Sequence, residues 1–295
     1  MPTNINFNKS LGLRGDTSIV IKKATGCSDP DSTAFLLATG ITDSTISKSI
    51  CDLVVGLKAD GLWTKLYAIY PIVGGTASTH KYNLKDSRDL DSAFRLSFNG
   101  GITHSSTGAL PNGTNGYANT FFVPSVQIVN PDSFHFSVYS RTNSNPAVPS
   151  FDIGTNIITG TDGDTFADAE THSFYYMNYL GSTTARHGQY ASVSNFIDAN
   201  SLGLYVANRN LANNVTTYKN GVLKNTGAPS PTGLAYSPMY LLGLNEYYPD
   251  LATSNTYYGK RQLAFATIGE GLTDGETTRL YNRVQTFQTA LARQV

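Results

Sequence analysis

Charge is scarce in this chain. Asp, Glu, Lys and Arg make up only 14% of its 295 residues, and the 21 basic residues are matched by 21 acidic ones. An average soluble domain carries roughly 25% charged residues, so hydroxyls and amides must do much of the wetting here. Without a basic surplus, the counterion release that drives binding to phosphate backbones has little to act on, and no polybasic face is offered to a membrane surface. The composition therefore excludes nucleic acid as an expected partner. Long apolar runs are also lacking: Gly, Asn, Ser or Lys interrupts each one well short of the roughly 20 residues a membrane helix needs. The opening residues Met1-Pro2-Thr3-Asn4-Ile5-Asn6-Phe7-Asn8 contain no apolar stretch of the secretory kind. Two cysteines, Cys27 and Cys51, are too few for a disulfide scaffold or a zinc site. Both are expected as reduced thiols, Cys51 being a small buried hydrophobe on the stripe of a helix.

What is present is enough apolar material for a core, at 40% of the residues, and a wealth of Tyr, Phe, Thr, Asn and Gly. Residues 1–62 differ in kind from the rest. Asp31-Ser32 offers an N-cap to a short helix through Phe35, Leu36 and Leu37, ended by Gly40. Thr42 or Asp43 then caps a second helix, in which Ile46, Ile50, Leu53, Val54 and Leu57 recur at steps of three and four until Gly61. This pair is too small to form a core alone and should dock on residues 63–295, where the period changes to two.

Strands are expected at 94–98, 134–139, 174–180, 189–193, 202–206, 215–218, 240–244 and 263–268. Many short strands without intervening helices mean an antiparallel sandwich or barrel. Asn220-Gly221 between Tyr218 and Val222 marks a hairpin, because both residues tolerate positive φ. Thr273-Asp274-Gly275-Glu276 has capping-box spacing for a closing helix. Leu280, Val284, Phe287 and Leu291 face the sandwich in this reading, while Arg279, Asn282, Arg283 and Arg293 face water.

The succession Tyr218-Lys219-Asn220-Gly221, Tyr240-Leu241-Leu242-Gly243-Leu244-Asn245, Gly259 to Ile268 and Gly271-Leu272-Thr273-Asp274-Gly275-Glu276 resembles the closing half of laminin-G-like domains. Asn112-Gly113-Thr114-Asn115-Gly116-Tyr117 and Phe134 to Tyr139 are similar to their opening half. The resemblance implies the concanavalin A-like lectin/glucanase fold, an antiparallel jelly-roll β-sandwich. The block Trp63 to Pro71, through Gly74-Gly75-Thr76 to Asn83-Leu84-Lys85-Asp86, resembles a segment that precedes such sandwiches in tailed-phage virion proteins. That likeness implies a component of the particle surface, assembled in a host cytoplasm. Its partners would be other virion proteins and further copies of the chain, with weak glycan adhesion in addition. A stand-alone carbohydrate-binding lectin-like module and a diverged glycoside hydrolase are the alternatives.

Chemistry is sparse. The Glu-x-Asp-x-x-Glu strand of glucanases is absent, and the glutamates are only Glu170, Glu246, Glu270 and Glu276. Carboxylates could still meet as Glu170 with Asp168, or Glu246 with Asp250. There is no Gly-x-Ser-x-Gly elbow, no His-Glu-x-x-His and no phosphate-binding glycine loop, so no enzyme is expected. His135 reads as a solvent-side strand residue, and His80, His104, His172 and His187 as surface or hydrogen-bonded groups. Asp162, Asp164, Asp168 and Glu170 place hard oxygens on a glycine-containing turn, a candidate Ca²⁺ site whose ordinary reading is a solvated acidic loop.

Glycan binding needs aromatic platforms rimmed by amides and hydroxyls. Tyr247, Tyr248, Tyr257 and Tyr258, with Asn245, Asp250 and Asn255, supply both, although most tyrosines in such a chain simply fill strand and loop positions. The stretch from Asn99 to Asn115 is a second candidate surface, read as a long loop. Arg14-Gly15-Asp16, Asn112-Gly113-Thr114 and Asn214-Val215-Thr216 are assigned no function.

Overall fold

The computed structural model describes residues 27–144, 146–159, 169–179, 182–188, 193–198, 200–227 and 234–295. Helices α1 (Pro30–Thr39) and α2 (Ser44–Ala59) lead into strand β1 (Leu66–Tyr70) and the single turn α3 (Ala77–His80). Strands β2 (Ser97–Asn99), β3 (Ile102–Ser105), β4 (Gly108–Pro111) and β5 (Tyr117–Asn119) precede a second single turn, α4 (Pro124–Gln127). The long strands follow: β6 (Phe134–Ser140), β7 (Ser150–Thr159), β8 (Ala169–Tyr179), β9 (Ser182–Gly188), β10 (Val193–Ile197), β11 (Gly203–Leu211), β12 (Asn214–Lys219) and β13 (Val222–Gly227). The chain closes with β14 (Tyr240–Leu241), β15 (Gly243–Tyr248), β16 (Thr253–Tyr258), β17 (Leu263–Gly269) and helix α5 (Asp274–Ala290).

Among the described residues these strands form two sheets. The first runs β13-β12-β11-β6-β17-β4-β3, with β1 also paired to β17. The second runs β10-β9-β8-β7-β14-β5-β2, and adds β15 on β7 and β16 on β15. The described pairings are antiparallel except β15 with β7, where Asn245 to Tyr247 run alongside Thr155 to Ile157. Phe134, Phe136 and Val138 from β6 meet Ile153, Ile157 and Leu241 of the second sheet in the core between the layers. On the other side of the first sheet, Tyr139, Leu204, Val206 and Phe265 pack under α1, α2 and α5. The first sheet is thus covered on both faces, and the arrangement is a β-sandwich with a helical layer on one side.

Local signals explain the elements. Asp29, rather than Asp31 or Ser32, caps α1 through the amides of Asp31 and Ser32, because Pro30 has the fixed φ suited to the first helical position. Gly40 ends that helix at φ 67°. Asp43 caps α2, which ends two residues before Gly61, and Ile50, Leu53, Val54 and Leu57 are its buried stripe. Asn220 and Gly221 both adopt positive φ, 50° and 73°, as the hairpin between β12 and β13 requires. Thr273 and Glu276 form the expected capping box on α5.

Several expectations are corrected. Cys27 and Cys51 are joined in a disulfide across Cα atoms 5.9 Å apart. The pairing arises because α1 folds back on α2, where Lys58 holds both Asp29 and Asp31 at 2.6 Å. Arg293 is buried, not solvated. Past the end of α5, Ala292 takes φ 53° and turns the chain inward, so that the Arg293 guanidinium donates to the carbonyls of Ile72, Pro71 and Ala264. His135 is buried as well, since β6 lies between two neighbours in a sheet covered on both faces. Its imidazole lies against the Glu270 carbonyl and the Thr267 hydroxyl. Phe94 is no strand residue but a left-handed turn at φ 57°. The supposed loop from Asn99 to Asn115 contains the β3–β4 hairpin and a turn in which Asn112 accepts from the amides of Thr114, Asn115 and Gly116.

Candidate functional site

The three long helices all belong to the first sheet's outer layer, so the far face of the second sheet receives none of them. Ile153 and Ile157 of β7 point into the inter-sheet core, and Thr155 bonds Ser237 inside. Strand alternation therefore turns Asn156 to the far face. The β15–β16 hairpin brings a carboxylate to it there. Glu246, only 5% exposed, accepts from Asn156 Nδ2 at 3.2 Å and from the Tyr248 hydroxyl at 2.5 Å. Glu246 is paired across the hairpin with Asn255, and Leu244 with Tyr257. Tyr257, 38% exposed, lies over Phe151 at 5.5 Å, and Phe151 packs with Leu244.

Electrostatics follow from this placement. Burial, and then the negative charge of Glu246 that it hydrogen-bonds, push the Tyr248 phenol above its ordinary value. Burial first, and then the Glu246 charge, also push the Tyr257 phenol above its ordinary value. Both hydroxyls thus stay protonated around the carboxylate. A second aromatic group stands nearby in the sheet: Tyr117 and Tyr240 stack at 4.5 Å, with Tyr258 at 6.4 Å from Tyr117. Burial, with Tyr117 second, pushes Tyr240 up to about 12.

The expected glycan-contact residues divide accordingly. Tyr248, Asn255 and Tyr257 gather around Glu246 on the far face. Asn245 does not join them: it is buried and donates to the Pro238 carbonyl, because alternation along β15 sends it inward. Tyr247 likewise packs against the inter-sheet core, edge-on to Tyr236. Tyr258 belongs to the Tyr117 group. The side chain of Asp250 lies outside the described residues, as do Asp162, Asp164 and Asp168 of the candidate Ca²⁺ turn and the side chain of Glu170. Among the described residues no cluster of three or more His, Cys, Asp or Glu could hold a metal ion.

Sequence reasoning missed the role of Glu246, which it weighed only as half of a carboxylate pair with Asp250. It missed Asn156 and Phe151 altogether, since β7 was not foreseen as a strand. The usable signal was the spacing Leu244-x-Glu246-x-Tyr248, which puts all three on one face of a strand.

No protein-family model matches the chain, and no curated protein matches it. Solved structures do. A mutant of Trypanosoma rangeli sialidase displaying trans-sialidase activity superposes with a TM-score of 0.50 at 11% identity, covering 79% of this chain and 38% of that one. Botulinum neurotoxin type C, which depends on interaction with two ganglioside molecules to enter cells, superposes with a TM-score of 0.50 at 12% identity, covering 77% and 53%. The fold is a concanavalin-like β-sandwich. At such identities the likeness shows the fold alone, and this chain spans about two fifths and about half of those two chains. Within the concanavalin-like sandwich, the Glu246 group occupies the sheet face that the helices leave uncovered.

Proposed function

We propose that the protein is a carbohydrate-binding, lectin-like module that holds glycans without cleaving them, and that the Glu246 face is its binding surface. The observation that carries this reading is the half-exposed ring of Tyr257 beside a phenol and a carboxylate fixed by hydrogen bonds. A sugar ring presents an apolar face to a phenyl ring and hydroxyls at its rim, and both kinds of partner stand together here. The fold adds support for glycan binding as such, though not for any one class of sugar, since cell entry of the neurotoxin that shares it depends on interaction with gangliosides.

Binding without catalysis fits the carboxylate's surroundings. Both Glu246 oxygens are engaged by neutral donors, Asn156 and Tyr248, an arrangement that holds the carboxylate in place. The disulfide bears on where the module works, because such bonds persist in oxidising surroundings and are uncommon in the cytosol of most cells. We place a role in a virion second. The segment that suggested it braces the sandwich: Lys85 lies 4.1 Å from the Trp63 ring and donates to its carbonyl, and Asn83 holds the Ile69 amide and the Ala93 carbonyl.

A glycan array probed with the whole chain, followed by calorimetric titration of the best ligand, tests the proposal. Tyr257→Ala removes the platform and should weaken binding by about tenfold or more, as loss of an aromatic anchor does, with the thermal midpoint little changed. An array without any bound glycan, or unchanged affinity in the variant, would sink this reading of the face.

A further inference from the structure

The Tyr248 hydrogen in this site is already committed inward. A phenol has one hydrogen to give, and Tyr248 donates it to Glu246 Oε2 at 2.5 Å. The other carboxylate oxygen takes a hydrogen from Asn156 Nδ2. An ionised carboxylate accepts only, and a phenol whose hydrogen is held from below can offer a ligand nothing but oxygen lone pairs. Toward solvent the Tyr248 hydroxyl is therefore an acceptor, while the exposed Asn255 amide beside it still carries hydrogens to give.

Beneath it lies a negative charge that is screened poorly, because Glu246 is almost wholly removed from water. Among the described residues no lysine, arginine or histidine forms an ion pair with it. A ligand carboxylate brought onto Tyr248 would meet lone pairs where it needs donors, and a like charge just below. A neutral sugar hydroxyl meets an acceptor at the same point.

We infer that the site selects neutral, hydroxyl-donating glycans and rejects acidic ones, with Glu246 as the positioning residue that sets the choice by holding the Tyr248 hydrogen and supplying the charge. The inference rests on the glycan-binding reading of this face and adds the ligand class to it.

Titration calorimetry of the whole chain against one oligosaccharide core, with and without a terminal sialic acid, tests it. The unmodified protein should bind the neutral core at least about tenfold more tightly than the sialylated one, the scale of one well-placed polar interaction. Glu246→Gln removes the charge and introduces a donor, so the ratio should fall to about threefold or less while neutral affinity drops. Tyr248→Phe leaves the charge in place and should lower neutral affinity while acidic glycans remain excluded. The Phe variant keeps the inference testable should the Gln variant fail to fold. Equal binding of both glycans by the unmodified protein, or a ratio untouched by Glu246→Gln in a folded variant, would overturn the inference and leave glycan binding standing. Absence of binding to either glycan, and to any other on the array, would remove both together.

Discussion

At the scale of single residues, the polar groups that matter most are those placed where water cannot reach them. Arg261, just before β17, and Asp152 of β7 form a buried pair that ties the two sheets together. Arg261 Nε donates to Asp152 Oδ1 at 3.0 Å, and its Nη1 donates to the Ser201 carbonyl. Tyr205 lies under the guanidinium at 5.0 Å. Taking two charges out of water offsets most of what they gain from each other, but removing one partner strands the other. Asp152→Ala should therefore destabilise the fold by about 3 to 5 kcal/mol. Asp152→Leu combined with Arg261→Met should recover most of that loss, both measured by urea unfolding. A single variant as stable as the parent would show the pair to be dispensable. These residues were not legible in the sequence, and the reason is physical. Asp152 and Arg293 look like ordinary surface charges until tertiary structure supplies the carbonyls and counter-charge that let them be buried. His135 misled for a related cause. The alternation of β6 distinguishes two faces, but only the packing of helices on the first sheet shows that both are dry.

At the scale of elements, legibility was better, because local chemistry decides where an element begins and ends. The Asn220-Gly221 turn and the Thr273–Glu276 capping box stand where residue type alone put them. Elements whose identity depends on partners were harder to see. Strand β7 sits at the centre of the second sheet with few alternating apolar residues, and β16 becomes a strand by pairing with β15. The candidate site is built on those two strands and β15, which is why only its tyrosines and Asn255 were foreseen. The disulfide also acts between elements. It closes a loop over a sequence separation of 24 and fastens a residue three positions before α1 to the middle of α2. By loop-closure entropy such a link stabilises by about 3 kcal/mol, chiefly by restricting the unfolded chain. Cys51→Ser, or reduction with a thiol, should lower the urea midpoint accordingly without altering glycan affinity, because the bond lies in the helical layer on the opposite side from Glu246. A reduced protein with an unchanged midpoint would show that the α1–α2 contacts alone hold that layer.

At the scale of the whole molecule, four layers follow one another: helices, a sheet buried on both faces, the core, and a sheet whose far face carries the candidate site. The doubly covered layer makes stability depend on pH. Burial foremost pushes His135 down to about 4, aided by the charge of Lys65 and opposed by its bond to the Glu270 carbonyl. Burial also pushes His80 down to about 3, with His104 and Arg293 adding to the effect. His80 accepts from the Gly75 amide at Nε2, and its Nδ1 lies 2.9 Å from Nδ1 of His104. Released into the unfolded chain, each imidazole returns to an ordinary value near 6.5. Between that value and the folded one the unfolded state holds more protons, so stability rises with pH through this window and is complete above it. Falling from pH 7 to pH 4.5 should cost about 2 to 3 kcal/mol for each histidine. The paired carboxylates Asp29, Asp60, Asp198 and Glu276 are held below their usual range, so their contribution is lost mainly below the measured range and only begins to fade at its acid end, where the His80→Gln comparison separates the imidazole from it. Urea unfolding at pH 7, 5.5 and 4.5 should give a steadily falling midpoint, and His80→Gln should flatten the slope. A midpoint constant across that range would mean that the two imidazoles accept protons within the fold, and that the first sheet is not closed to water on both sides.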